Sequence, residues 1–518
     1  MKKLIAFAFA CVFVLGTSGI ANADPDAATQ AKIDALQAQL DAVKAQLDVL
    51  KAQQFLAPAP APVATNPPGT VPVRVKTDSA TFLIGGEQVT VYGNLDLSLD
   101  DTTKGLAKSY TLGGSPVGDV GYLSAVSTNL SYIGVRGTHK LGPLSGLVYQ
   151  LETQIDVSAT SGTANTNSNN DTVVKGGLTS RNSFIGIANK SGTYRIGKTD
   201  APYKTSTARM NPFSGELGDY AVVMGNTGGD NRVEFGTRFD HAAWYDSPRM
   251  GPWTFSAFFS PGQNRSFDDG NISAGESSCA GGNVPGSGAL PPQCNDGAFG
   301  SAFSTALVYD HGPVYLTGAY ELHKKVNRTS DLADLDPNDV VDEQAWKLGG
   351  QFRLAKATTV DAIYENMTRF VPQYLEYQNE RTRDGFWLAL TQRLTPKSDI
   401  NFGWARANPT PGDPGQHNTP GGANPDNMAN MYTIAYKHAI DKHVSWYADW
   451  AMTLNHPAAH YDLGAGGRGI TTDCHDATPL SAFDPTIAPP AQPVSYSGPH
   501  CFAGGRLEGF STGLKLTF

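Results

Sequence analysis

From Gln88 to Phe518 the chain alternates apolar and polar residues with a period of two, which turns successive side chains to opposite faces of a strand. In Val89–Leu99 the odd positions carry Val89, Val91, Leu95, Leu97 and Leu99, and the even ones Thr90, Tyr92, Asn94, Asp96 and Ser98. Leu147–Val157 and Lys442–Thr453 repeat the pattern. Continuing the count places strands near 88–99, 127–140, 146–157, 180–189, 193–199, 233–246, 252–260, 301–310, 314–324, 343–354, 358–367, 383–394, 398–407, 429–440, 442–453 and 507–518. Alternation over roughly ten residues exceeds the usual five or six of soluble sheets and suits a tilted strand crossing a bilayer.

Short turns such as Leu141–Ser145, Asn189–Gly192, His311–Pro313, Thr395–Lys397 and Ile440–Asp441 alternate with long polar connections. Membrane barrels segregate their connections in this way. A secreted sandwich or solenoid, the alternative all-β reading, would bury the apolar face and has no reason to do so. The expected fold is therefore all-β, a 16-stranded antiparallel transmembrane β-barrel closed on itself because hydrocarbon tolerates no open edge. Aromatics near strand ends (Tyr110, Tyr122, Trp253, Phe259, Trp446, Trp450, Phe502) suit interfacial girdles. Only 17% of residues are charged, yet no internal run approaches the roughly 20 apolar residues of a spanning helix.

The N-terminus is organised differently. Met1-Lys2-Lys3, the apolar run Leu4–Ile20 and Ala21-Asn22-Ala23 form a signal peptide over 1–23. Its removal takes two lysines and no acid from 39 Lys+Arg and 48 Asp+Glu, leaving a mature net charge of −11, which argues against a nucleic-acid partner. Three heptads follow, with Ile33, Leu36, Leu40, Val43, Leu47 and Leu50 at coiled-coil spacing, so 24–54 is expected to be a short periplasmic coiled-coil helix. A Pro/Ala-rich linker over 55–87 holds it away from the barrel at 88–518. Four cysteines remain after cleavage. Their even number in an exported chain predicts two loop disulfides, Cys279 with Cys294 and Cys474 with Cys501, and no C-x-x-C spacing points to a metal.

Enzyme motifs fail on context. Gly509–Gly513 matches G-x-S-x-G but lies inside the alternating terminal strand, where no strand-to-helix elbow forms. His456 and His460 are separated by Pro457, and the aspartates at 331, 334, 336, 339 and 342 lack EF-hand spacing. No catalytic residue, cofactor or metal is expected.

Val89–Leu97 (VTVYGNLDL), Ser131–Gly137 (SYIGVRG), Arg181–Ile187 (RNSFIGI), Gly192–Lys198 (GTYRIGK) and a terminal strand closing on Phe518 together resemble the trimeric general porins of Gram-negative outer membranes. The resemblance implies a homotrimer in outer-membrane lipid and lipopolysaccharide; the coiled coil and proline linker depart from the family pattern, and the N-terminal segment is expected in the periplasm, where it reinforces the trimer or contacts peptidoglycan. It also implies passive diffusion of small hydrophilic solutes and ions through a water-filled channel with a charged constriction. In the family an inward-folded loop carries acids that face basic residues on the wall. Here the stretch Pro212–Asp219 is similar to that loop, offering Glu216 and Asp219, while Arg136, Arg181 and Arg238, with Arg195 and Lys198 nearby, match the basic side. Ile133 and Val135 beside Arg136, and Tyr194 and Ile196 beside Arg195, leave the basic residues the lumen face. A substrate-specific porin and a surface adhesin acting through its long loops stay open as alternatives.

Overall fold

The computed structural model describes residues 80–84, 87–105, 121–155, 157–158, 181–224, 235–236, 238–261, 301–327, 340–370, 373, 382–411, 426–456, 459, 461–464 and 506–518. All lie in the compact unit Pro67–Phe518. The signal peptide, the coiled-coil residues Ile33 to Leu50, and Cys279, Cys294, Cys474 and Cys501 fall outside the described residues.

The strands are β1 (Ala80–Ile84), β2 (Glu87–Gly105), β3 (Gly121–Thr128), β4 (Tyr132–Gly142), β5 (Ser145–Gln154), β6 (Ser183–Asn189), β7 (Gly192–Asp200), β8 (Arg238–Asp246), β9 (Trp253–Ser260), β10 (Ser301–His311), β11 (Val314–Asn327), β12 (Val340–Arg353), β13 (Thr358–Arg369), β14 (Arg383–Thr395), β15 (Ser398–Ala407), β16 (Ala429–Ala439), β17 (Val444–Asn455) and β18 (Arg506–Thr517). They form one antiparallel sheet that closes where β18 pairs with β2, from Gly509↔Thr102 to Thr517↔Asn94. Gly93 and Phe518 complete the seam with reciprocal backbone bonds of 2.9 and 3.1 Å.

Eighteen strands make sixteen wall positions. β3 and β4 run end to end along β2, meeting at Leu97↔Thr128 and Asn94↔Tyr132, and so form one kinked staff. β1, within the stretch expected as linker, folds back on β2 beyond the end of β18, from Ala80↔Val91 to Ile84↔Glu87. The resulting closed 16-stranded barrel agrees with the periodicity. Short connections (143–144, 190–191, 312–313, 396–397) alternate around it with long ones (106–120, 201–237, 408–428, 456–505).

Parity sorts the side chains. Ile196 and Leu99 are 61% and 63% exposed on the outer face, and Phe510, Leu348, Leu514 and Leu388 share it. A water-soluble sheet would hide such a band, whereas a membrane barrel turns it to lipid. The inward positions carry Asp96, Ser98, Glu152, Lys347 and Asp449.

One connection also turns inward. After β7 the chain forms α1 (Pro202–Ser206) and 3-10 turns at Ala208–Met210 and Tyr220–Val222. Its Met210, Phe213, Val222, Val223 and Met224 pack on lumen-facing Trp387, Ala405, Ala407, Met431 and Ala435, so the main apolar core lies inside the barrel.

The outward leucines of β14 give a depth test. Leu388 sits mid-strand and Leu394 beside the turn at 396–397, both exposed. Leu388→Arg is expected to destabilise the folded barrel by about 2–4 kcal/mol and Leu394→Arg by about 0–1 kcal/mol, measured by denaturant titration in lipid.

Candidate functional site

The inward connection is a plate bonded to one side of the lumen. Tyr203 N–H donates to Ser304 Oγ at 3.0 Å, and Tyr203 OH to Glu365 Oε2 at 2.6 Å. Burial, with the Glu365 carboxylate beside it, holds the Tyr203 phenol protonated far above its ordinary range, so it remains a donor. Tyr315 OH donates to Ser206 O at 2.6 Å, and Trp387 Nε1 to Met210 O at 2.9 Å. The fully buried Trp387 indole lies between Phe213 and Tyr220, with ring centroids 5.9 and 5.1 Å away.

The return limb is held as firmly. Gly236 N–H donates to Glu321 Oε1 at 3.1 Å, and Phe235 stacks on His323 at 4.7 Å between centroids. His323 is bracketed by Glu321 and Glu343, and Glu343 accepts Arg369 Nε at 3.0 Å. All four side chains are buried under the plate. At the tip, Lys437 of β16 bonds Glu216 and the Pro212 carbonyl, while Leu217 N–H donates to Asp449 of β17 at 3.0 Å. Gly218 lies so close to Thr433 that an added Cβ would overlap its hydroxyl, and Gly403 likewise makes room for Trp387 and Phe213.

The structure therefore places both acids expected at the constriction against the β16–β17 side. Glu216 is 5% exposed; burial pushes its carboxyl up, against the opposing pull of Lys437. Asp219 accepts Asn211 Nδ2 at 2.8 Å, Gly215 N–H at 3.2 Å and Ala221 N–H at 3.0 Å, so both of its oxygens shape the loop.

Ala201, at the start of the plate, packs on Phe239, Ala242 and Trp244 of β8; the basic residues stand on β4 and from Arg181 to β8, away from the Lys437 and Asp449 anchors of the tip. Arg181 Nε donates to Glu152 Oε1 at 2.6 Å and stacks on Tyr132 at 4.8 Å. Arg238 bonds Asn182 Oδ1 at 2.7 Å and Asp200 Oδ2 at 3.1 Å. Lys198 lies close enough to Arg238 to feel its charge. Arg195 pairs with Asp246 and lies over Phe184 and Trp244 at 5.1 and 5.9 Å. Arg136 lies over Tyr92 at 4.6 Å and has no carboxylate or hydrogen-bond partner among the described residues. The five thus divide into a group near Asp200 and Glu152 (Arg181, Lys198, Arg238) and a pair farther toward the short turns (Arg136, Arg195).

Residue type and motif did not single out Lys437, Trp387, Asp449 or Tyr203, the plate's anchors. Their signal is compositional. Inward positions of β14 to β17 hold Gly385, Ala389, Gly403, Ala405, Ala407, Ala435 and Ala451, where a water-lined wall would be polar. Small residues there mark the surface on which another segment packs.

Comparison with known proteins agrees with the fold. A family model described as Gram-negative porin matches residues 64–457. No curated protein sequence matches the chain. Among solved structures, the anion-selective porin from Comamonas acidovorans superposes with a TM-score of 0.53 at 15% identity, over 83% of this chain and 100% of that one. Salmonella typhi OmpF in complex with daunomycin gives 0.49 at 14% over 85% and 100%, and OmpT of Vibrio cholerae 0.47 at 10% over 85% and 100%.

The Gly218 contact makes the plate separable from the barrel. Gly218→Val is expected to push the tip off β16 into the lumen and narrow it, read as a smaller single-channel conductance with the strand content in circular dichroism preserved.

Proposed function

Since this chain belongs to the Gram-negative porin family, we propose that its lumen is an outer-membrane channel for passive diffusion of small hydrophilic solutes and ions, with a net basic constriction that favours anions. Membership of the family supplies the channel. The sign of selectivity rests on one observation: Arg136 has no carboxylate partner among the described residues, whereas Glu216 and Asp219 have their carboxylates engaged by Lys437 and by the plate itself. Among the described residues Arg181, Arg195 and Arg238 pair with Glu152, Asp246 and Asp200, Asp96 on the neighbouring β2 pairs with Lys515, and Arg136 pairs with no carboxylate. Ions that permeate within about one Debye length, roughly 8 Å at physiological salt, of Arg136 meet a positive charge that no carboxylate offsets.

Reversal potentials under a KCl gradient test the sign. The wild-type channel is expected to pass chloride over potassium, and Arg136→Gln, Arg181→Gln and Arg238→Gln together to move the potential toward the potassium limit. An unchanged potential would place the selecting charges elsewhere.

The same reading includes assembly as a homotrimer surrounded by lipid and lipopolysaccharide, with the heptads of 24–54 on the periplasmic side as a second self-contact or a contact to peptidoglycan. Three heptads are near the lower limit for independent association, so they add to the barrel contact rather than replace it. Deleting residues 24–73 is expected to lower the temperature at which the oligomer dissociates on a gel, or to release the protein from sedimented cell wall. No change in either would remove both roles.

A further inference from the structure

The pair Arg136 and Arg195 does not merely add charge. Between them the wall has a recess of about 160 Å³. Its walls follow from the register: Thr90 lies opposite Arg136, Arg136 opposite Gln150, Gln150 opposite Phe184, and Arg195 opposite Gly186 on the next strand. Five neighbouring strands thus contribute inward side chains to one spot, with Val148 and Phe184 as its apolar lining.

Two observations show unused binding capacity. Arg136, half-buried, has its guanidinium over Tyr92 and no carboxylate among the described residues. Arg195 pairs with Asp246 through its terminal nitrogen, but its Nε is buried without an acceptor. A buried donor left unsatisfied costs free energy that an incoming oxygen recovers. One free guanidinium fork fits one carboxylate bidentately. The volume falls below the roughly 300–1,000 Å³ of drug-sized sites, so the occupant is small.

We propose that the Arg136–Arg195 recess is a binding subsite for a small organic carboxylate in transit, its oxygens on the guanidinium groups and its hydrocarbon body against Val148 and Phe184. The inference rests on the channel reading and narrows it to a class of solute. The apolar lining distinguishes it from a site that takes any oxyanion, because inorganic phosphate has no use for Val148 and Phe184.

Planar-bilayer recordings of the full mature channel in KCl at pH 7 test it, with benzoate as the probe and phosphate as the comparison. Benzoate should reduce the chloride current saturably, and phosphate at equal concentration should do so less. Arg136→Gln should raise the half-saturating benzoate concentration roughly tenfold, the scale of one charge-assisted contact. Arg136→Lys, which keeps the charge and loses the fork, should raise it several-fold rather than restore it. Each variant is read against its own KCl current. Block that never saturates, equal half-saturation in wild type and both variants, or phosphate blocking as well as benzoate would each overturn the subsite while leaving the channel standing. A protein that carries no KCl current would overturn both.

Discussion

In hydrocarbon an unpaired backbone N–H or C=O has no water to turn to, and that single constraint shapes the irregular parts of this barrel as much as the regular ones. The last residue is spent on it: Phe518 and Gly93 exchange backbone bonds where β18 runs out. β1 then continues along the same edge of β2. The kink between β3 and β4 is handled likewise. Leu130 takes a φ of 53°, outside strand geometry, while Asn129 N–H donates to Asp96 O at 2.8 Å and Ser131 Oγ both accepts from Asp96 N–H and donates to Asp96 O. The staff bends and its hydrogen-bond edge stays occupied.

Closure fixes which residues face inward, and the plate depends on that choice. Gly403, Ala405, Ala407 and Ala435 leave a shallow wall beside the tall Trp387, against which the plate's apolar side chains are fully buried. The charges beneath it belong to the same interface. Glu321, His323, Glu343 and Arg369 could not be buried singly, but together they pair with one another and with one backbone N–H of the returning limb. The lumen is consequently lopsided, with the larger apolar cluster on the β14–β17 side and the arginines on the other.

The strands and their faces were legible because period-two alternation is a local property, and Tyr194 and Ile196 stand outside as their parity requires. The direction of the inward loop was not. Pro212–Asp219 carries its acids in a sequence that fits either wall, and the choice is made by Lys437, more than two hundred residues away, and by Asp449. Asp219 illustrates a second limit. A short acidic side chain in a glycine-bearing loop serves equally as a solute contact and as an acceptor for its own backbone, and here Gly215 and Ala221 take it. Arg136 and Arg181 looked equivalent in sequence for a similar reason. What separates them is Glu152, which the fold sets beside Arg181 and gives to Tyr92 as well.

That separation matters for the field a solute meets. An arginine bonded to a carboxylate presents a dipole whose potential dies quickly with distance, whereas an arginine over an aromatic face keeps most of its monopole. Along the arginine side of the lumen the first kind dominates near Asp200 and Glu152 and the second kind begins at Arg136. On the proposed reading, an anion entering from the long-loop side would pass paired charges first and a free one afterwards. The unpaired charge stands beside the recess lined by Val148 and Phe184. On the proposed reading it is the placing of the carboxylates, more than the number of arginines, that leaves Arg136 for a passing anion.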